Sequence, residues 1–365
     1  MIGAPRALID LQALRHNLDC LQKMAPQAKI MAVVKANAYG HGLVRVAKAL
    51  DGVDALAVAR LGEALSLRQH GVHTSVVVLE GIFNLEQLRQ AQQQSIAVVI
   101  HDPSQLELLR QADPQLGLSI WIKVDSGMHR LGVAVAQVPA LWQALREIEA
   151  IRQPIGFMTH LSHADLPEHP ATSLQLQHFE QACVDLPGPR CIANSAAVLA
   201  HPQAHAQWLR PGIMLYGVSP FSDRLGQEWN LKPVMRLVSE LIAIKALRQG
   251  EGVGYGAVWR APWDTHLGVV AVGYGDGYPR HARNGTPVLV GQRRVPLVGR
   301  VSMDLITVDL GPSPQETVGT PVVLWGDPQL PVEEVAAHAD MIAYELLCVI
   351  TGRVAIEERM SSLVT

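Results

Sequence analysis

From residue 29 onward the chain alternates short, wholly apolar runs with segments of helical period. Residues 30–34 precede 43–50, residues 54–59 precede 62–70, and residues 75–79 precede 85–94. Residues 96–100 lead into 104–112, where Asp102-Pro103 reads as a cap and first turn. Residues 118–124 precede 139–149, residues 155–160 precede 172–184, and residues 190–194 precede a short segment ending at Arg210. Strands that are apolar throughout are buried on both faces, as in a parallel sheet covered by helices. These seven, with the segment ending at Arg210 as the eighth unit, predict a (β/α)8 TIM barrel, with a doubly wound open sheet as the weaker alternative.

Polar residues sharpen that choice. Lys35, Asp125, His160, Asn194-Ser195 and Arg210 each fall at the predicted C-terminal end of a different strand, the face on which barrel active sites are built. After about residue 231 the texture changes to short β-branched runs punctuated by glycine and proline, at 238–244, 267–272, 288–290 and 305–310. Residues 332–339 read as one helix. The expected organisation is therefore a barrel domain over residues 1–230 and a mostly β domain over 231–365.

Composition narrows the function class. At 365 residues the chain exceeds what one hydrophobic core usually serves, and a formal charge of -3 without a dense Lys/Arg run argues against nucleic acid or an acidic membrane surface as partner. The first ten residues lack a basic region followed by a long apolar stretch, and no run approaches the roughly 18 apolar residues of a membrane span. A cytoplasmic enzyme of small-molecule chemistry is expected. Cys20, Cys183, Cys191 and Cys348 are widely spaced and read as buried thiols, with neither a disulfide framework nor a thiolate metal site.

Lys35 is the most informative position. It ends the apolar run Lys29-Ile-Met-Ala-Val-Val-Lys35 and opens Ala-Asn-Ala-Tyr39-Gly40-His41-Gly42. A lysine at the edge of a packed core loses part of its hydration, which lowers its pKa and frees its amine as a nucleophile. Tyr39 and the glycines beyond it can present a hydroxyl and backbone N–H groups to a phosphate. Together these features suggest pyridoxal phosphate.

Other positions are less decisive taken singly. In Lys123-Val-Asp125-Ser-Gly127-Met-His129-Arg130, the guanidinium can grip a substrate carboxylate or pair with Asp125 to fasten the loop, and spacing favours neither. Arg210-Pro211-Gly212-Ile213 falls where barrels commonly hold phosphate on backbone N–H groups, and Ser195 can add a hydroxyl; the plain alternative is a turn with a capping arginine. His160, His163 and Asp165 are close in sequence, but alternation at a strand end separates the two imidazoles, so no metal is expected. Tyr255 and Tyr274 lie in glycine turns, where a phenol usually only packs its ring; a nearby cation would make Tyr255 a usable acid or base.

Taken together the motifs resemble the alanine racemases. The resemblance runs through Val33-Val-Lys35-Ala-Asn-Ala-Tyr39-Gly40-His41-Gly42, Lys123 to Gly132, Ala193-Asn194-Ser195-Ala-Ala, Arg210 to Gly217, Gly252-Val-Gly-Tyr255-Gly, Gly273-Tyr274-Gly-Asp-Gly-Tyr278 and Gly299-Arg-Val-Ser-Met303-Asp304, and covers essentially the whole chain. It implies interconversion of L- and D-alanine on pyridoxal 5'-phosphate. Lys35 would form the internal aldimine and act as base on the D-alanine side; Tyr255, from the partner subunit of a head-to-tail homodimer, would serve the L-alanine side. Arg210 would face the pyridine nitrogen and keep it unprotonated, with His160 supporting it. Tyr39, Ser195, Gly212, Ile213 and Tyr344 would hold the phosphate.

The same resemblance gives Arg130 and the partner's Met303 backbone to the substrate carboxylate, and Tyr274 and Asp304 supporting places near the site. Tyr274 and Tyr344 would line the approach, which Tyr255 and Tyr344 would narrow to admit a small amino acid. The lysine matching Lys123 is often carbamylated in this family, giving an anion that would orient Arg130. Gly275 and Ser302 stand where relatives often have alanine and cysteine. The role implied is D-alanine supply for peptidoglycan or alanine catabolism. A fold-related decarboxylase of basic amino acids would place a carboxylate, and not Arg210, at the pyridine nitrogen. A non-catalytic single-barrel pyridoxal phosphate carrier would lack the residues after 231.

Overall fold

The computed structural model describes residues 4–358. Its contacts divide the chain into two compact units, and the division does not follow a single cut. One unit holds residues 17–38 and 42–215; the other holds residues 4–16, the short stretch Tyr39–His41, and residues 216–358. The expected boundary at 230 thus differs from the observed clustering at both ends of the barrel sequence.

The first unit is the barrel. Its strands are Lys29–Val33, Ala55–Val58, Ser75–Val78, Ile96–Ile100, Ile120–Asp125, Gly156–Met158, Arg190–Cys191 and Trp208–Leu209. Each pairs in parallel with the next, and the last returns to the first through Trp208↔Lys29 and Leu209↔Ile30, so the sheet closes without an edge. Helices at Leu43–Ala49, Leu61–Gln69, Leu85–Gln93, Gln105–Leu109, Val138–Arg146, Ala171–Cys183 and Ser195–Ala200 follow successive strands. Every residue of Ala55–Val58 is buried, as expected of a strand with the barrel interior on one side and helices on the other.

Aromatic packing explains one glycine here. Trp121 meets Trp208 edge to face with centroids 5.6 Å apart, and a Cβ at Gly156 would lie 2.3 Å from the Trp121 ring. The neighbouring strand can approach that indole only without a side chain.

The second unit is built on the long strand Met235–Leu247, which pairs antiparallel with Arg6–Ile9, Thr265–Val270 and Pro321–Trp325. Ile306–Gly311 extends the sheet beside Thr265–Val270, Pro287–Val290 pairs with Arg293–Pro296, and Ala355–Glu358 runs parallel to Arg6–Ile9. Helices Val332–His338 and Ala343–Cys348 complete it. The strand at Arg6–Ile9 is absent from the pattern reading because its partner lies more than 200 positions away. Cys20, Cys183 and Cys191 are buried, but Cys348 is exposed at the end of its short helix, which corrects the expectation for that thiol. Among the described residues no helix is long and apolar enough to cross a membrane.

Candidate active site

The barrel strands deliver their polar residues to one place. Lys35 lies two residues past the end of Lys29–Val33 and is half-buried. Burial, then the charges of Arg130 and Arg210, lowers its pKa below the ordinary lysine value, while Glu80 and Glu63 act in the opposite direction. Lys123, within Ile120–Asp125, is pushed further: burial together with Arg210, Arg130 and Lys35 brings its pKa to about 7. Four basic side chains thus lie within electrostatic reach of one another, and burial and mutual repulsion shift both amines toward the neutral form.

The chain after Lys35 is conformationally unusual. Residues 36–39 take φ of +53°, +55°, +53° and +52°, a left-handed turn with no glycine in it. Such a conformation costs an L-residue about 1–2 kcal/mol, so it persists only where the surroundings impose it. Asn37 ties down its far end, since its side-chain oxygen accepts from Leu43 N at 2.9 Å and its carbonyl from Gly42 N at 2.9 Å. The nearer end is held by Glu63, whose Oε1 accepts from Ala36 N at 2.8 Å.

Arg210 is nearly fully buried, one residue past Trp208–Leu209. Its guanidinium donates to the Thr159 carbonyl at 2.5 Å, to Cys191 Sγ at 3.1 Å and to His160 Nδ1 at 3.1 Å. Because arginine has only donors, His160 Nδ1 must be the unprotonated ring nitrogen. Burial, then the Arg210 charge, holds the His160 pKa well below its ordinary value, so the ring is neutral. Ser195 opens the helix Ser195–Ala200, and its Oγ accepts from Gly212 N at 2.9 Å and Met214 N at 3.4 Å. That brings Ser195 into contact with the Gly212–Ile213 turn, while Asn194 caps the helix by accepting from Ala197 N at 3.0 Å.

The alternative of an Asp125–Arg130 pair is resolved. Asp125 accepts from Gly127 N and His129 N at 3.1 and 3.0 Å, and its second oxygen meets His129 Nδ1 at 3.1 Å. Burial raises its pKa, but those hydrogen bonds prevail and the net shift is downward. Its partner is His129, and Arg130 is exposed. His163 is a loop histidine that hydrogen-bonds Ser162 and stacks on His169 with centroids 4.2 Å apart.

The remaining candidates belong to the other unit. Tyr39 is buried there, its ring 4.7 Å from that of Tyr216 and 6.1 Å from that of Tyr344, centroid to centroid. Tyr255 sits on a tight turn closed by the pairing of Gly252–Val253 with Trp259–Arg260, and φ of +66° at Gly254 and +72° at Gly256 shows why glycine flanks it. Its side chain is 68% exposed. Tyr274 and Met303 lie side by side in the backbone, with Tyr274 N donating to Ser302 O at 3.1 Å and Gly275 N to Met303 O at 2.8 Å. A Cβ at Gly273 would lie 2.3 Å from the Met303 carbonyl oxygen, so this close approach requires glycine.

Asp304 is held by Arg353, whose Nη2 donates to its Oδ1 at 2.7 Å, and Arg353 Nε also reaches the buried Asp276 at 3.2 Å. Pattern reasoning missed Glu63, Thr159, Cys191 and Arg353. Glu63 reads as an ordinary first-turn helix residue and Thr159 acts through its backbone, so neither carries a sequence signal.

The family model for the alanine racemase N-terminal domain matches residues 9–220, and that for the alanine racemase C-terminal domain matches residues 234–357. Alanine racemases from Nitrosococcus oceani and Shewanella piezotolerans are 53% and 52% identical to the chain, each over 96% of it and 98% of the relative. The biosynthetic alanine racemase of Escherichia coli O6:H1 is 48% identical over 97% of the chain and 99% of its own length. The crystal structure of the biosynthetic alanine racemase from Pseudomonas aeruginosa superposes with a TM-score of 0.94 at 44% identity, covering 98% of this chain and all of that one. The chain belongs to the alanine racemase family of pyridoxal phosphate-dependent racemases.

Proposed function

We propose that this protein interconverts L- and D-alanine by a two-base mechanism in which Lys35 and Tyr255 are the bases. The observation that carries the reading is the grouping of Lys35, Lys123, Arg130 and Arg210 around a neutral His160 in the barrel. Two guanidinium charges beside two amines whose proton affinity they lower call for an anionic guest, and a phosphorylated cofactor with a carboxylate substrate supplies that charge. Pyridoxal phosphate fits the donor set: an amine of lowered pKa, a buried guanidinium, and the Ser195 hydroxyl beside the Gly212 N–H. When bound, the cofactor supplies an electron sink that makes the α-proton of the amino acid removable.

Ser195, Gly212 and Ile213 would hold the cofactor's phosphate, as would Tyr39 and Tyr344. Arg210 would serve the ring nitrogen; since a guanidinium stays charged and cannot accept, it would leave that nitrogen unprotonated and restrain the sink, limiting transamination. Arg130 grips the substrate carboxylate, oriented by Lys123, whose amine is neutral above about pH 7 and can add carbon dioxide to give a carbamate and a proton. Lys35 Nζ takes or returns the α-proton on the D-alanine side. Tyr255 Oη does so on the L-alanine side, because inversion requires a donor on the face opposite the acceptor.

Tyr255 and Met303 act in the partner's site of a head-to-tail homodimer. Support comes from their exposure of 68% and 53%, which suits residues that serve another subunit. Tyr274 and Asp304 frame that contribution. The enzyme works in the cytoplasm, and its role is supply of D-alanine for peptidoglycan or alanine catabolism; the biosynthetic names of relatives favour supply. The test is incubation of holoenzyme with each alanine enantiomer in deuterated water: inversion with deuterium at Cα supports the reading, and bound cofactor without exchange contradicts it.

A further inference from the structure

Glu63 has a task that helix capping does not account for. It is the third residue of the helix Leu61–Gln69, and its Oε2 accepts from Ala59 N at 2.9 Å and Arg60 N at 3.1 Å, an ordinary capping arrangement. That uses one carboxylate oxygen. The other leaves its own helix and accepts from Ala36 N at 2.8 Å, 27 positions earlier in the chain. Ala36 is the first residue of the left-handed turn and is bonded to Lys35. The carboxylate therefore bridges two successive strand ends, and the amide it holds is the one by which the strained turn leaves the lysine.

We propose that Glu63 is a positioning residue for Lys35, holding the left-handed turn through the Ala36 N–H and so fixing the direction in which Lys35 Nζ meets the substrate's α-proton. This rests on the two-base reading above. A misplacement of about 1 Å at a reacting group can lower a rate roughly 100-fold, so a device that fixes backbone next to the base has a measurable consequence. The charged groups acting on Lys35 are Arg130 and Arg210, which lower its proton affinity, and Glu80 and Glu63, which raise it; Lys123 is coupled to the same cluster, and Glu80 is paired with Arg60 at 3.5 Å.

The test compares holoenzymes of wild type, Glu63→Gln and Glu63→Ala by kcat, KM, the pH profile of kcat/KM, the pH dependence of the cofactor's absorbance band, and thermal melting. Glu63→Ala is expected to lower kcat about 10- to 100-fold with KM within about threefold. Glu63→Gln, with one acceptor oxygen for two tasks, should fall between, and its acid limb and absorbance midpoint should both move to lower pH because a negative charge beside Lys35 is gone. Wild-type kcat and profile in both variants would overturn the proposal. So would an equal loss in both that follows lowered melting temperature with no movement of either midpoint, since that assigns Glu63 to its helix alone. If wild type binds cofactor but does not invert alanine, the functional reading fails separately, and the absorbance midpoint alone decides for Glu63: movement supports it and no movement overturns it.

Discussion

Arg210 donates to His160 Nδ1 at 3.1 Å, and with no acceptor on the guanidinium the imidazole is fixed as its neutral Nε2–H form. The arrangement is rigid because the Thr159 carbonyl and Cys191 Sγ take further donors of the same fork. Arg210→Lys replaces a planar fork by a point charge that can itself lose a proton. It should cost about 1–3 kcal/mol of stability, the penalty for leaving buried acceptors without donors, read as a lowered melting temperature. Pyruvate formation from alanine should rise relative to inversion, which a coupled lactate dehydrogenase assay detects.

Lys123 gives a pH dependence with a definite sign. Its amine is neutral in the folded protein above about pH 7, whereas the unfolded chain keeps that proton up to the ordinary lysine value of 10.5. Between those limits the unfolded state binds more protons, so in cofactor-free protein kept free of carbon dioxide the Lys123 contribution to stability should rise with pH through this window and be flat below it. Lys123→Met should lessen the rise, leaving the part due to Lys35, and stabilise the protein near neutrality, as pH-resolved denaturation would report. With 13C-labelled bicarbonate, a carbamate carbon resonance should appear in wild type and be missing from that variant.

Tyr255 is exposed on its own unit, so Tyr255→Phe should leave stability within about 0.5 kcal/mol of wild type. Loss of the hydroxyl should lower inversion about 100- to 10,000-fold with the cofactor band intact. Solvent exchange at Cα of D-alanine should survive better than that of L-alanine, because Lys35 still serves the D-side. Equal losses from both enantiomers would remove Tyr255 as the L-side base.

Dilution is expected to lower specific activity in step with dissociation of the dimer measured by sedimentation. Mixing an inactive Lys35→Ala chain with an inactive Tyr255→Phe chain should restore activity, since one of the two sites in a mixed dimer then has both bases. Failure of complementation under conditions of subunit exchange would place both residues in one subunit's site.

The barrel was legible because each of its units is a local pattern: an apolar run, a turn and a segment of helical period can all be read without knowing what lies across the sheet. That is also why Lys35, His160 and Arg210 could be assigned to one face. Arg6–Ile9 could not be read, since four residues pairing with Met235–Leu247 carry no local signal. The choice at Arg130 stayed open because spacing does not reveal that His129 adopts φ of +56° and turns back to Asp125. Glu63 was hidden by its helical position, and the left-handed turn by its lack of glycine: residues 36–39 are alanine, asparagine, alanine and tyrosine.

Inversion by two bases requires that a proton leave one face of the α-carbon and a different proton return to the other. Holoenzyme given L-alanine in deuterated water, followed by chiral separation and mass spectrometry in the first turnovers, tests this most directly. D-alanine carrying deuterium at Cα is expected from the earliest time points, with the reverse experiment giving deuterated L-alanine. D-alanine that retains its original α-hydrogen throughout, or no inversion by enzyme with bound cofactor, would contradict it.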